Sequence, residues 1–333
     1  MPATRLDRAL ELFAEAIIEP AHDDEDVDRH VQLRLAEIEQ AQANSSQTAT
    51  IAFRNAIFDE SSRASRMNGG EPETVANVTG EAVRRFHAQH FGPGSAKLVL
   101  AGDFATDPVA LAEAYFGGWS NDTAPAPHQQ PIAAEPRTIL IDRPGAVQAD
   151  VRLGGFGIDR RDPRWADISI ASYAMGGAFL SRLNAVLREE KGYTYGVRMQ
   201  FAPMRAGGSF AVQGSFRTDV VTDALVEARR LLDVSAAPFD QREVDEAVAF
   251  FAGVSPLRYA TADGVADQAA TQILGGLPED YVDSNLEALR AVTPESATEA
   301  YQELVRAEET TLVVVGDAAT IAEPLRAAGF LVR

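Results

Sequence analysis

The chain has no cysteine, which removes disulfides, thiolate nucleophiles and cysteine-ligated zinc from its chemistry. Cationic residues are also scarce: 30 Lys and Arg stand against 49 Asp and Glu, a net charge of -19 over 333 residues. Nucleic acid or an anionic membrane would meet that field as repulsion, so neither is expected as a partner. No apolar run approaches the length of a membrane span. The opening MPATRLDRALELFAEAI places Asp7, Glu11 and Glu15 where a secretory signal needs uninterrupted apolar residues, and a cytoplasmic location is expected. What the chain does have is 46% apolar and 24% charged residues, the balance of a globular protein long enough for about two domains.

Leu6, Leu10, Phe13 and Ile17 recur at helical spacing, as do Val27, Val31, Leu35 and Ile38. Further helices are expected near Ala49 to Phe58, from Thr79 to His90 and from Pro108 to Phe116, with an apolar strand from Lys97 to Ala101. Residues 121–136 carry four prolines and no apolar period, which reads as a linker between a first domain (1–120) and a second (137–333). The second begins with strands at Thr138 to Ile141 and through Val147, Ala149, Val151 and Leu153. A long helix from about Trp165 to Glu190 comes next, then strands from Tyr193 to Phe201 and from Ser209 to Phe216.

The two parts share a repeat. Val78-Thr79 matches Val292-Thr293, and the strand ending Gly102-Asp103 matches the one ending Gly316-Asp317, both at an offset of 214 residues. At that offset, residues 137–217 have no counterpart in the first copy, which is left with helices and one lone strand. A lone strand has unsatisfied backbone groups. The expectation is a first domain lacking its strand-rich part, with those strands lying further upstream in the native product or coming from another chain.

Chemistry concentrates in GGAFLSRLNAVLREEKGYTYGV, residues 176–197. A glycine pair leads into a helix with Phe179, Leu183 and Leu187 on one side; the helix breaks at Gly192 and a strand begins. Alternation along that strand puts Tyr193 and Tyr195 on the same face. A guanidinium at a helix end beside a phenol at a strand start can donate hydrogen bonds to a peptide carbonyl or oxyanion. Spacing alone favours the plainer reading, a core tyrosine with a surface arginine. The Gly176-Gly177 pair reads as close packing or a hinge, since no phosphate-binding lysine or Gly-x-Gly-x-x-Gly accompanies it.

This segment resembles the C-terminal-domain signature of the insulinase and pitrilysin zinc metallopeptidases, the group that includes the mitochondrial processing peptidases. The resemblance extends through GEPETVANVTGEAVRRFH, the element Lys97 to Asp103, DRPGAVQADVRLGG and TTLVVVGD. It implies an α+β fold: two homologous domains, each with helices on a mixed or antiparallel sheet, closing as a clamshell on an unfolded peptide. It also implies that Arg188 and Tyr195, seven positions apart, hold the substrate backbone near the zinc. Tyr193, on the same expected face, is a further candidate for lining the cleft.

The zinc signature of that family, His-x-x-Glu-His on a helix, is absent. The five histidines, His22, His30, His87, His90 and His128, lack its spacing and read as surface or packing residues. Glu37 falls where the family's distal glutamate ligand sits, but alone it reads as a solvated helix carboxylate, so no metal residue is assigned. Zinc is therefore expected in a partner chain or in a missing N-terminal segment. The resemblance implies a zinc-free subunit of a heterodimeric metalloendopeptidase. The alternatives are a noncatalytic peptide-binding or structural subunit, or a fragment of a complete zinc peptidase whose start lies upstream.

Overall fold

The computed structural model describes residues 5–121, 123 and 128–331. In chain order its main elements are α1 (Leu6–Ile18), α2 (Asp24–Ala43), α3 (Ser45–Ile57), the single turn α4 (Pro72–Val75), α5 (Gly80–His90) and α6 (Pro108–Phe116). Then come β1 (Thr138–Asp142), β2 (Gln148–Gly157), α7 (Trp165–Ser172), the short α8 (Arg182–Asn184), β3 (Thr194–Pro203) and β4 (Gly208–Arg217). The remainder comprises α9 (Val221–Leu232), α10 (Gln241–Arg258), α11 (Ala262–Gly275), α12 (Tyr281–Ala291), α13 (Pro294–Leu304), β5 (Thr311–Gly316) and α14 (Ala318–Ala327). No helix among the described residues is long and apolar enough to cross a membrane.

Two compact units are built from interleaved stretches. One comprises Met1–Glu39, Asn68–His128 and Pro256–Leu274; the other comprises Gln40–Met67, Gln129–Ser255 and Gly275–Arg333. Within the region read as a linker, residues 122 and 124–127 lie outside the described residues.

The larger unit carries the α+β architecture, a five-stranded mixed sheet in the order β1-β5-β2-β4-β3. β5 runs parallel to β1 and antiparallel to β2, and the β2–β4 and β4–β3 pairs are antiparallel. All six residues of β5 are buried, because each of its faces is covered: Leu312 and Val314 enter the main core, while Val313 and Val315 pack under Ala49, Phe53, Ala56 and Ile57 of α3. Burial on both faces explains why β5 is a continuous apolar run with no alternation. The main core continues through Ala149, Val151 and Leu153 of β2, Val197 and Met199 of β3, and Val212 and Phe216 of β4, with α7, α9 and α13 packed on them.

The 214-residue repeat is visible at two helix starts. Thr79 accepts a hydrogen bond from the Ala82 amide at 3.2 Å and Thr293 from the Ser296 amide at 3.1 Å, the same N-cap opening α5 and α13. Beyond the caps the copies diverge, and the strand expected at Lys97 to Ala101 is irregular chain. Its counterpart β5 is a strand because β1 and β2 bond to both its edges. Among the described residues nothing pairs with 97–101, and the smaller unit is helical.

The long helix expected over residues 165–190 is interrupted. α7 ends in a π-helical turn over Tyr173–Gly177, Ala178 and Ser181 are extended, and α8 runs into a second π-helical turn over Ala185–Glu190. The start of α7 is held by Asp162, which accepts from the Arg164 amide at 2.9 Å and from its guanidinium at 3.0 and 2.8 Å; Arg164 also reaches Glu303 of α13 at 2.9 Å. The Arg164 hydrogen bond holds the Asp162 carboxyl below its ordinary value of 3.8. A depressed carboxylate contributes stability above its unfolded pKa and loses it as the pH falls through the folded one. Asp162→Asn is therefore expected to cost about 1 kcal/mol at neutral pH, a deficit that shrinks below about pH 4. Urea unfolding across that range checks it, and a pH-independent deficit would contradict the assignment.

Candidate functional site

On the face of the sheet away from the main core, α3 lies over β5 and β2. The strand pairing then sets polar residues in rows beside it. Arg152 of β2 stands opposite Gln213 of β4, and Gln213 stands opposite Arg198 of β3; in the adjacent row Asp150 faces Ser215. With strands about 4.8 Å apart, the backbones of Arg152 and Arg198 are roughly 10 Å apart across the row. These residues floor an open cleft of about 510 Å³.

Arg152 is only 7% exposed. Its Nε donates to Thr50 Oγ1 at 3.2 Å, Nη1 to the Val151 carbonyl at 2.8 Å, and Nη2 to Ser46 Oγ at 2.8 Å, so one guanidinium bonds α3 to β2. Burial lowers the Arg152 pKa and Asp150 pushes it back up. Burial likewise raises the Asp150 carboxyl, against the pull of Arg152 and a hydrogen bond from Ser215. The two groups thus lie two positions apart on one face of β2, both partly desolvated and each biasing the other's protonation, without forming an ion pair.

The rim is the interrupted helical segment. Gly176 has to be glycine because an added Cβ would lie 2.4 Å from the Met199 amide nitrogen and 2.9 Å from its Cα, both backbone atoms that cannot swing aside. The π-helical turn can therefore sit directly on β3. Buried Asn184 fixes the path of the chain beyond that turn. Its Nδ2 donates to the Ala178 carbonyl and to Ser181 Oγ, both at 3.3 Å, and its Oδ1 accepts from the Val197 amide at 3.0 Å. A single amide thus ties the extended break, α8 and β3 together.

Arg188 projects from the second π-helical turn, with its guanidinium 4.2 Å from the centre of the Phe179 ring and its Nε 3.4 Å from Glu189. Tyr195 is 93% exposed and makes no hydrogen bond among the described residues. Both line the cleft, which brings together the two residues that the family resemblance singled out. Tyr193 does not join them. It packs against the main core, so the expectation that the two tyrosines share a face is corrected. The reasons are local: Gly192 takes the left-handed conformation with φ 63°, and a bulge shifts the β3–β4 register between Thr194 and Val197. The Thr194 hydroxyl stabilises the bulge by donating to the Ser215 carbonyl at 2.6 Å and accepting from the Gly196 amide at 3.1 Å. Asp150, Arg152, Arg198 and Asn184 were not anticipated. The available signal for the first three was polar residues alternating with core residues on β2 and β3.

The described side chains do not suit zinc. Among the described residues no three His, Asp or Glu groups converge as a metal site. His22 and His87 meet edge to face, with ring centres 5.4 Å apart, and His87 Nε2 lies 2.8 Å from the Ile17 carbonyl oxygen. Glu37 is exposed and paired with Arg34 at 3.0 Å. No catalytic step is assigned to a metal held by this chain.

Residues 77–251 match the family described as the Peptidase M16 inactive domain. Over 301 residues the chain is 26% identical to an uncharacterised zinc protease of Streptomyces coelicolor, an alignment covering 88% of this chain and 65% of that one. It is 23% identical over 145 residues to an uncharacterised zinc protease of Bacillus subtilis, covering 44% of this chain and 35% of that one. The chain thus spans less than two thirds of the length of these curated relatives. Among solved structures, the peptidase M16 inactive domain from Pseudomonas fluorescens superimposes with a TM-score of 0.84 at 24% identity, covering 95% of this chain and 76% of that one. A chain of complex III2 from Candida albicans does so with 0.77 at 13% identity, covering 98% and 81%. At these identities the likeness is one of fold.

Proposed function

Since the chain belongs to the M16 peptidase family, bearing the module described as its inactive domain, we propose that it is the substrate-holding subunit of a two-chain metalloendopeptidase. In this reading a homologous chain supplies the zinc motif, while Arg188 and Tyr195 donate hydrogen bonds to the backbone of an unfolded peptide and to the oxyanion that develops at its scissile carbonyl. The observation that carries the reading is that both side chains line one open cleft, while among the described residues no His, Asp and Glu groups gather as a metal site. The exposed hydroxyl of Tyr195 and the ring-supported guanidinium of Arg188 supply donors in search of an acceptor.

The test is reconstitution. The chain is mixed with a zinc-motif-bearing homologue from the same source, and hydrolysis of an internally quenched peptide is followed. Each component alone is expected to be nearly inactive and the mixture active. A mixture that binds peptide without hydrolysing it would favour a second reading, a noncatalytic structural subunit, which draws on the fold likeness to a chain of complex III2. A zinc motif in native sequence upstream of Met1 would replace the partner with the chain's own missing segment.

A further inference from the structure

The charge of the cleft is opposite in sign to that of the molecule. Three arginines, Arg152, Arg188 and Arg198, line it against the single carboxylate of Asp150, in a chain of net charge -19. Arg152 is tied up by its hydrogen bonds to Thr50, Ser46 and the Val151 carbonyl, with Asp150 two positions away on the same strand. Arg188 rests on the Phe179 ring and has Glu189 3.4 Å from its Nε. The Arg198 side chain makes no hydrogen bond or ion pair among the described residues, and its place opposite Gln213 sets it on the same face of the sheet as Arg152. Arg198 is thus a cation without a carboxylate partner in a concave site of an acidic chain.

We propose that the cleft selects peptides carrying a carboxylate, with Arg198 as the specificity-determining residue. The inference rests on the reading of the cleft as a peptide site and adds the chemical class of its ligand. An arginine fork recognises a carboxylate through paired charge-assisted hydrogen bonds, and Gln213 beside it offers an amide donor to the same group. Arg188 is committed to the backbone in that reading, which leaves Arg198 for the side chain. The carboxylate could come from Asp or Glu within the peptide or from its C-terminus; the chemistry is the same.

Fluorescence anisotropy with three labelled peptides of one neutral, unstructured sequence tests this on the full chain. The first carries Glu at three spaced positions and an amidated end, the second Gln at those positions and an amidated end, and the third Gln with a free C-terminal carboxylate. At low salt the Glu peptide, the free-carboxylate peptide or both are expected to bind about tenfold more tightly than the amidated Gln peptide. The advantage should collapse in high salt and in Arg198→Gln, with the amidated Gln peptide unaffected by that substitution. Long-range attraction cannot mimic this result, because the net charge acts against an acidic ligand. Equal binding of all three, or an equal loss for all three in Arg198→Gln, would overturn the selectivity while leaving the backbone clamp in place. No binding of any of them would overturn the peptide site itself.

Discussion

Arg188→Ala is expected to lower peptide hydrolysis by the reconstituted pair by about 10²–10³-fold, the range found when a donor to a developing oxyanion is removed. The loss should fall mainly on kcat, because a donor aimed at negative charge gains most of its strength only as that charge forms. Phe179 holds the guanidinium plane at 4.2 Å, and a lysine cannot reproduce a planar fork stacked on a ring, so Arg188→Lys should recover little. Tyr195→Phe removes one hydroxyl with no structural partner, and its thermal unfolding should match that of the unsubstituted chain. Full activity of both variants in the reconstituted pair would end the assignment of the two residues. Unchanged unfolding midpoints separate a catalytic loss from a folding loss.

Arg152→Ala carries the largest expected cost in stability, about 3 kcal/mol. The truncation removes the guanidinium donor from Thr50 Oγ1, Ser46 Oγ and the Val151 carbonyl, and the nearby positive charge that favours the ionised form of Asp150. The figure sits at the low end for removing a buried, hydrogen-bonded charge, because Asp150 is only half-buried and can regain some hydration. Arg152→Met, which keeps most of the volume, combined with Asp150→Asn, which removes the stranded charge, should recover a substantial part of the loss. Urea unfolding of the two variants reads this out. A cost below about 1 kcal/mol for Arg152→Ala would show that the guanidinium is not what bonds α3 to β2.

The helix start at Thr79 and the strands of the larger unit were legible in the sequence because each shows in neighbours a few positions away, whereas Arg188 and Tyr195 stood out only through the resemblance to a family. Thr79 and Thr293 stand at helix starts by local hydrogen bonding, and β2 shows its core-facing alternation residue by residue. Where the reading failed, the deciding partner was distant in sequence. Residues 97–101 have the composition of β5 but no strand bonded to them, and apolar composition cannot report a missing neighbour. Tyr193 left the face of Tyr195 because a bulge, fixed by the Ser215 carbonyl 21 positions from Thr194, breaks the period of two. The break between Gly177 and Arg182 depends on Asn184 bonding across to β3, which helical periodicity does not encode. The row of Arg152, Gln213 and Arg198 exists only once three strands are in register.

The placement of β5 between β1 and β2 also sets an order of events at the ribosome. The amide of Arg137, at the head of β1, bonds to the side chain of Thr311 at the head of β5, a pair 174 positions apart. At 5–20 residues per second, roughly ten to thirty seconds pass between emergence of the two. During that interval β2, β4 and β3 can pair as nascent hairpins, while β1 has no edge to join and one edge of β2 stays open. The newborn chain thus presents an unfilled slot in its sheet until residue 316 is made, and that interval is when a chaperone or a wrongly paired strand would find it.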